Sequence, residues 1–204
     1  MHALLPFAAA LVSLHLAGRL LGRWRAQRDP ATALWAGALL AYALAAAALA
    51  WGASAGWDGR AFRVYYLFGG LLTAPLLGLG SLQRAGRRWA APLALAYCGL
   101  AVGVAVAMPL HGAFLASALP AAGDHLAFLP GRLVAVAGNT LGTVAVVGVA
   151  LLTLRRRPLG NGLIVGAVAL AGVGSAFSGL GEAATGAFLA GGAVLLYAGV
   201  RAER

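Results

Sequence analysis

The side chains in this sequence that could do chemistry are few, and the imidazole and carboxylate groups come first. His111, Asp124 and His125 lie close together in the chain, and Glu182 follows further on. Imidazole and carboxylate groups together are ligand types that zinc binds. None of the four shows a ligand spacing such as HExxH, so we expect no metal and no cofactor. Solvated surface charge is their expected role, and a metal site built from them is the alternative.

Several sequence motifs of catalysis are missing as well. The chain contains no P-loop, no CxxC and no lysine that could form a Schiff base. The glycines of Leu77-Gly-Leu-Gly80 follow no strand, so they do not form a dinucleotide-binding fingerprint. The single cysteine, Cys98, cannot form an internal disulfide. We therefore expect a protein that is not an enzyme.

Five polar side chains inside apolar stretches are the remaining candidates for a functional site. They are Tyr66, Thr73, Asn139, Thr143 and His15. A polar group buried without a partner costs roughly 1–3 kcal/mol, so each such group needs a reason to be there. One hypothesis is that they line a path for a polar solute. The alternative is structural, with Asn139 tethering two helices and His15 satisfied inside the bundle.

The elements that must position these groups follow from composition. Of the 204 residues, 62% are hydrophobic and only 10% are charged, whereas a soluble domain carries about 25% charged residues to coat its surface. Apolar stretches of the length that crosses about 30 Å of lipid recur along the chain. Lipid-exposed backbone must satisfy its own hydrogen bonds, so each stretch is predicted to be a helix. The sequence therefore predicts one all-α transmembrane domain over residues 1–204, with seven helices at about 3–21, 33–53, 62–82, 90–108, 133–154, 162–180 and 184–200.

The distribution of arginine predicts the orientation of this bundle. All fifteen basic residues are arginines, and they cluster at the ends of the apolar stretches rather than along a groove that could bind nucleic acid. Twelve fall on one side and three on the other. The first set is Arg19, Arg23, Arg25, Arg28, Arg84, Arg87, Arg88, Arg155, Arg156, Arg157, Arg201 and Arg204, and the second is Arg60, Arg63 and Arg132. The positive-inside rule then predicts a multi-pass protein of the bacterial cytoplasmic membrane, with its N-terminus outside and its C-terminus in the cytoplasm.

Small residues at four-residue spacing predict how the helices pack. The third segment carries Gly70, Ala74 and Gly78, the fifth carries Gly138 and Gly142, and the fourth carries Gly99 and Gly103 with Ala107. Such ridges let helix backbones approach closely in a membrane. We expect contacts within the chain, with contacts in a homo-oligomer or a larger membrane complex as the alternative. Pro75 is expected to kink the third helix.

A faint repeat suggests a 3+1+3 arrangement. The first and fifth segments both end in arginine-rich turns that contain a proline, Pro30 and Pro158, and a glycine- and alanine-rich segment follows each. Segments 1–3 and 5–7 would then be parallel triplets joined by segment 4, as in some transporters. Chance similarity is the alternative.

The stretches Phe62-Arg-Val-Tyr-Tyr-Leu-Phe-Gly-Gly70, Asn139-Thr-Leu-Gly142 and Gly160-Asn-Gly-Leu-Ile164 resemble an uncharacterised family of small seven-helix membrane proteins from high-GC bacteria. That resemblance implies the fold and no activity. Two functions remain open from the sequence. One is a small-solute transporter or channel, and the other is a non-catalytic accessory or assembly subunit of a membrane complex. No carboxylate lies in the middle of an apolar stretch, which disfavours a carboxylate-driven proton or cation pump.

Overall fold

A computed structural model describes residues 4–114, 119–155 and 157–176, together with six residues between 191 and 199. Within these ranges all regular secondary structure is helical. Five helices are long and apolar enough to cross a membrane. The all-α class is therefore confirmed, and several helices have the length and apolar composition that crossing a membrane requires.

Six long helices make up the described bundle, and a single helical turn at Ala122–His125 and an irregular turn at Phe128–Arg132 lead into the fifth. We number the helices in chain order: α1 Leu4–Gln27, α2 Pro30–Ala55, α3 Gly59–Arg84, α4 Ala90–Ala107, α5 Leu133–Leu152 and α6 Pro158–Ala176.

The predicted seventh helix, at 184–200, lies outside the described residues except for six positions, each of which is helical. The last residues of the predicted sixth helix, 177–180, also lie outside them. The count of seven spans and the 3+1+3 arrangement therefore stay predictions.

Aspartates fix the starts of α2 and α3. The Asp29 carboxylate accepts hydrogen bonds from the backbone N–H groups of Ala31 and Thr32, at 3.2 and 3.0 Å. The Asp58 carboxylate accepts one from the N–H of Ala61, at 2.7 Å. Such caps satisfy N–H groups that have no partner in the first helical turn. The predicted starts at 33 and 62 were three residues late, because they followed hydropathy rather than these caps.

The helices pack in an order that leaves α2 and α3 at the centre. α2 lies against α1 and α3, α3 lies against α4 and α5, and α6 packs on α5. At one end of the bundle, the C-terminal ends of α1, α3 and α5 lie beside the starts of α2 and α6. We call it the arginine-rich end because Arg23, Arg84 and Arg157 lie there. At the other end, Arg63 contacts the end of α4, and the described members of the two arginine groups are thus separated along the bundle.

Glycines bring α3 and α5 into backbone contact. A Cβ atom added at Gly78 would lie 2.6 Å from Cα of Gly142, and one added at Gly142 would lie 2.7 Å from the backbone nitrogen of Pro75. A Cβ added at Gly138 would lie 3.0 Å from the Pro75 ring. Only glycine fits at such distances, so the close packing predicted from the ridges of these two helices is confirmed. We call Gly78, Gly138 and Gly142, with Ala74 and Pro75, the glycine seam.

The ridge predicted on the fourth segment behaves differently. A Cβ added at Gly99 or Gly103 would meet no described atom within 4 Å, and Ala107 is exposed. This stripe of α4 therefore makes no close contact with the described part of the chain. The expectation that it packs within the bundle is not met there.

Candidate functional site

The middle of α3 is not a regular α-helix. Residues Tyr66–Leu72 form a π-helical segment, and the regular helix resumes at Thr73, two residues before Pro75. At the junction the N–H of Thr73 donates to the carbonyl of Phe68, and the Thr73 hydroxyl donates to the same oxygen at 2.7 Å. Insertions of this kind are frequent at functional positions of helices. The break predicted at Pro75 is thus a π segment that directly precedes the proline.

Two side chains from neighbouring helices donate to carbonyls of this irregular region. In an α-helix the carbonyl of Leu71 would accept from the N–H of residue 75, but a proline has none. The Tyr97 hydroxyl of α4 donates to this oxygen instead, at 2.9 Å. Asn139 Nδ2 of α5 donates to the adjacent carbonyl of Gly70 at 2.7 Å. These hydrogen bonds tie α3 to α4 and α5 at the depth of the glycine seam.

Tyr66 is buried and lies nearer the opposite end. Its hydroxyl donates to the carbonyl of Gly131 at 3.3 Å, just before the start of α5. The Arg63 guanidinium, one turn away, donates to the carbonyl of Ala105 at 2.6 Å and so covers the end of α4. A cation at a helix C-terminus also interacts favourably with the helix dipole.

The other sequence candidates for a solute path are dispersed. Thr73 and Thr143 are partly buried on α3 and α5, and His15 is on an exposed face of α1. Asn139 and Tyr66 are both hydrogen-bonded to backbone carbonyls. The structure therefore does not gather these five side chains around one point, and their role as solute-lining residues stays a prediction.

The candidate metal ligands at the opposite end form a loop contact. The buried His125 ring stacks on Phe114, with ring centroids 4.2 Å apart, and lies 5.5 Å from the ring of Phe62. Its Nδ1 is 3.0 Å from the carbonyl oxygen of His111, whose N–H donates back to the carbonyl of His125. Asp124 is exposed beside it, and Glu182 lies outside the described residues. Among the residues described, no three His, Cys, Asp or Glu side chains come together as a metal site.

A cavity of about 710 Å³ opens at the arginine-rich end. Volumes of this size are typical of sites for small molecules. Residues from α1, α2, α3, α5 and α6 line it, and its charged members are Arg23, Asp29, Arg84 and Arg157. None of the five side chains proposed from the sequence to line a solute path belongs to its wall.

Hydrogen bonds within the protein order several polar side chains of this wall. The Thr153 hydroxyl donates to the carbonyl of Val149 at 2.7 Å and accepts from Asn161 Nδ2 at 2.9 Å. The Ser81 hydroxyl donates to the carbonyl of Leu77 at 2.8 Å. Ser81 and Asn161 are buried, so these hydrogen bonds hold a polar part of the cavity wall in place.

The electrostatics of the cavity are dominated by arginine. Burial alone would raise the pKa of Asp29, but hydrogen bonds from Thr32 and Ala31 and the nearby Arg84 charge outweigh it, and the pKa is lowered. Asp29 is thus a carboxylate at neutral pH, with its oxygens engaged by the start of α2. Against this one negative charge stand three guanidinium groups, so the described wall carries an excess of positive charge.

Trp35 lies in the same wall and has a buried donor. The side chain is 3% exposed, and its Nε1 has no hydrogen-bond partner among the described residues. The Arg84 guanidinium lies over the indole ring, 5.2 Å from its centroid, as in a cation–π contact. A Cβ atom added at Gly80 would lie 3.0 Å from Nε1, so this donor is packed against α3 rather than open to the cavity.

Sequence reasoning did not find this cavity. Its arginines were interpreted only as signals of topology, and nothing in hydropathy shows that the ends of five helices leave a space between them. The pair Asp29-Pro30 and the polar residues Asn161 and Thr153 near the segment ends were the available signals.

The fold and these contacts define a class, an all-α protein with several helices able to cross a membrane. No family model, no curated protein and no solved structure matches the chain.

Proposed function

We propose that this chain is a non-enzymatic, multi-pass protein of the bacterial cytoplasmic membrane that transports a small polar solute. In this proposal the arginine-rich end faces the cytoplasm, and its cavity is the solute site on that side. The observation that carries the proposal is the cavity itself, about 710 Å³ in volume and lined from five helices. A space of this size between helix ends is typical of a site for a small molecule.

The break in α3 supports a movement that transport requires. The half of α3 that follows the π segment carries Ser81 and Arg84 into the cavity wall. The half that precedes it carries Arg63 to the opposite end, where its guanidinium donates to the carbonyl of Ala105. Discontinuous helices with such a break near mid-membrane are common in transporters, where the halves move separately. A small change of angle at this break would alter access to the cavity.

An accessory or assembly subunit is the second candidate, and two observations favour it. Asn139, Tyr97 and Tyr66 are all used as donors to backbone carbonyls, which is what interhelical tethers do. The stripe of Gly99 and Gly103 on α4 is not covered by any described residue, and stripes of small residues accept helices of other membrane proteins.

Accessibility of the cavity from each side of the membrane separates the two candidates without knowledge of the solute. Cys98 is the single cysteine and is half-buried, so a Cys98→Ala background can carry one new thiol. We choose Ala150→Cys, a buried position in the cavity wall. For a transporter we expect a membrane-impermeant thiol reagent to label it from the cytoplasmic side and also, more slowly, from the outer side.

The matched control is Ala26→Cys, an exposed position at the same end of α1 that is not part of the wall. It should react only from the cytoplasmic side, and reaction only from outside would reverse the proposed orientation. If Ala150→Cys also reacts from the cytoplasmic side alone, the transport proposal fails and the accessory role is favoured.

A further inference from the structure

We infer that the cavity at the arginine-rich end binds a phosphate group, either that of an anionic lipid or that of a soluble phosphate. This inference rests on the proposed function only in treating the cavity as a ligand site, and binding can be measured without any transport.

Charge is the first reason. Arg23, Arg84 and Arg157 enter the wall from the end of α1, from the end of α3 and from the residue before α6. Each guanidinium keeps its positive charge whatever protein groups it contacts. The one acidic group of the described wall, Asp29, has its oxygens occupied by Ala31 and Thr32. An anion is therefore the ligand that this cavity would attract.

Geometry favours phosphate over carboxylate. A planar carboxylate presents two oxygens and is satisfied by one bidentate arginine. A tetrahedral phosphate presents oxygens in several directions and can be held by guanidinium groups that arrive from different sides. The three arginines come from three separate parts of the chain, which suits the second case.

A buried neutral group supplies a further donor. Asn161 is 6% exposed and uses one of its two amide hydrogens on Thr153, so it has a second amide hydrogen for a ligand. The α6 helix begins at Pro158, beside both Arg157 and Asn161, and a helix N-terminus adds partial positive charge. Three arginines and a buried amide thus line one cavity, next to the start of α6.

Position allows either source of the phosphate. The cavity lies where the apolar helices end, which is the depth of lipid headgroups in a spanning bundle. The volume of about 710 Å³ exceeds what one phosphate ion needs, so a glycerophosphate headgroup or a small phosphate ester would also fit.

The test is thermal unfolding of the full chain purified in a neutral detergent, followed by reconstitution. We titrate inorganic phosphate against chloride at matched ionic strength, and then compare nanodiscs of pure phosphatidylcholine with nanodiscs that contain phosphatidylglycerol. Stabilisation by inorganic phosphate indicates a soluble ligand. Stabilisation by phosphatidylglycerol alone indicates a lipid headgroup.

Three variants and a control make the result specific. Arg84→Gln and Arg157→Gln should each weaken the stabilising ligand on the order of ten-fold or more, because a charge-assisted hydrogen bond is lost. Asn161→Ala removes the amide donor of the wall, so it should weaken binding by a smaller factor. Arg87→Gln removes the same charge at the same end and should bind like the parent, because Arg87 is exposed as Arg84 and Arg157 are but lies outside the wall.

Failure of both phosphate and phosphatidylglycerol to stabilise the parent overturns the inference. An equal loss in Arg87→Gln and Arg84→Gln also overturns it, because general surface charge would then explain the effect. If Arg84→Gln does not fold, Arg157→Gln and Asn161→Ala decide in its place. The two proposals can also fail separately. If phosphate or phosphatidylglycerol stabilises the parent but Ala150→Cys reacts from one side only, the transport proposal is refuted and the phosphate-binding inference stands.

Discussion

The glycine seam and the arginine-rich end use the same helices in opposite ways. In the seam, the backbones of α3 and α5 are in direct contact. The polar side chains of Asn139 and Tyr97 there donate hydrogen bonds to backbone carbonyls of α3. At the arginine-rich end the same two helices line a cavity, and α1, α2 and α6 complete its wall around charged groups. On the proposed function, the seam holds the bundle together while the arginine-rich end is the part that binds the solute.

The largest expected effect comes from breaking the seam with Gly142→Leu. The new side chain would meet the backbone of Ala74 and Pro75, which cannot move aside as a flexible side chain can. Overpacking of this kind costs about 1–3 kcal/mol of unfolding free energy. The measurement is unfolding of the full chain by sodium dodecyl sulfate in mixed micelles.

The control for this change is Gly148→Leu on the same helix, where an added Cβ meets nothing within 4 Å. It carries the same gain in helix propensity and the same added volume. Equal destabilisation by the two variants would show that the seam is not a special contact.

The comparison also shows what sequence can and cannot predict here. The spans were predictable because a helix in lipid must be apolar over a set length, and the seam was predictable because small residues recur at four-residue spacing on one face. The starts of α2 and α3 were missed because Asp29 and Asp58 act through hydrogen bonds that hydropathy does not measure.

The cavity was not predictable in the same way. It depends on the space left between helix ends that are far apart in the chain, such as Arg23, Arg84 and Asn161. The sequence placed these residues at one end of the bundle but held no signal of that space. The π segment of α3 was foreseen only as a kink at Pro75, because a proline predicts a break but not the hydrogen-bond pattern before it.

The next effect in size is that of Asn139→Ala, which tests whether the seam region is tethered or lines a path. Loss of its hydrogen bond to the Gly70 carbonyl should lower the unfolding free energy by about 1 kcal/mol, the scale of interhelical hydrogen bonds in membranes. Thr140→Ala, at an exposed neighbouring position, should have little effect.

A double-mutant cycle of Asn139→Ala with Tyr97→Phe sharpens this test. The two donors act on adjacent carbonyls of α3, so their effects are expected to be non-additive. Unchanged stability in Asn139→Ala, combined with lost labelling of Ala150→Cys from outside, would instead favour a residue that lines a solute path.

The smallest expected effect belongs to the arginine-rich end and concerns Asp29. Its pKa lies below the ordinary 3.8, since hydrogen bonds from Thr32 and Ala31 and the Arg84 charge outweigh burial. A lowered folded pKa means that the carboxylate contributes stability at pH values above 3.8, and that this contribution is lost as the pH falls through the lower folded value.

Asn caps helices about as well as Asp does, so Asp29→Asn should cost less than about 1 kcal/mol at pH 7. The difference between parent and variant should shrink to nothing below the folded pKa, measured by thermal unfolding in detergent between pH 7 and pH 2. Raised salt should reduce the difference at pH 7, because the interaction with Arg84 is partly screened. A difference that stays constant across this range would show that the Asp29 charge plays no part in stabilising the arginine-rich end.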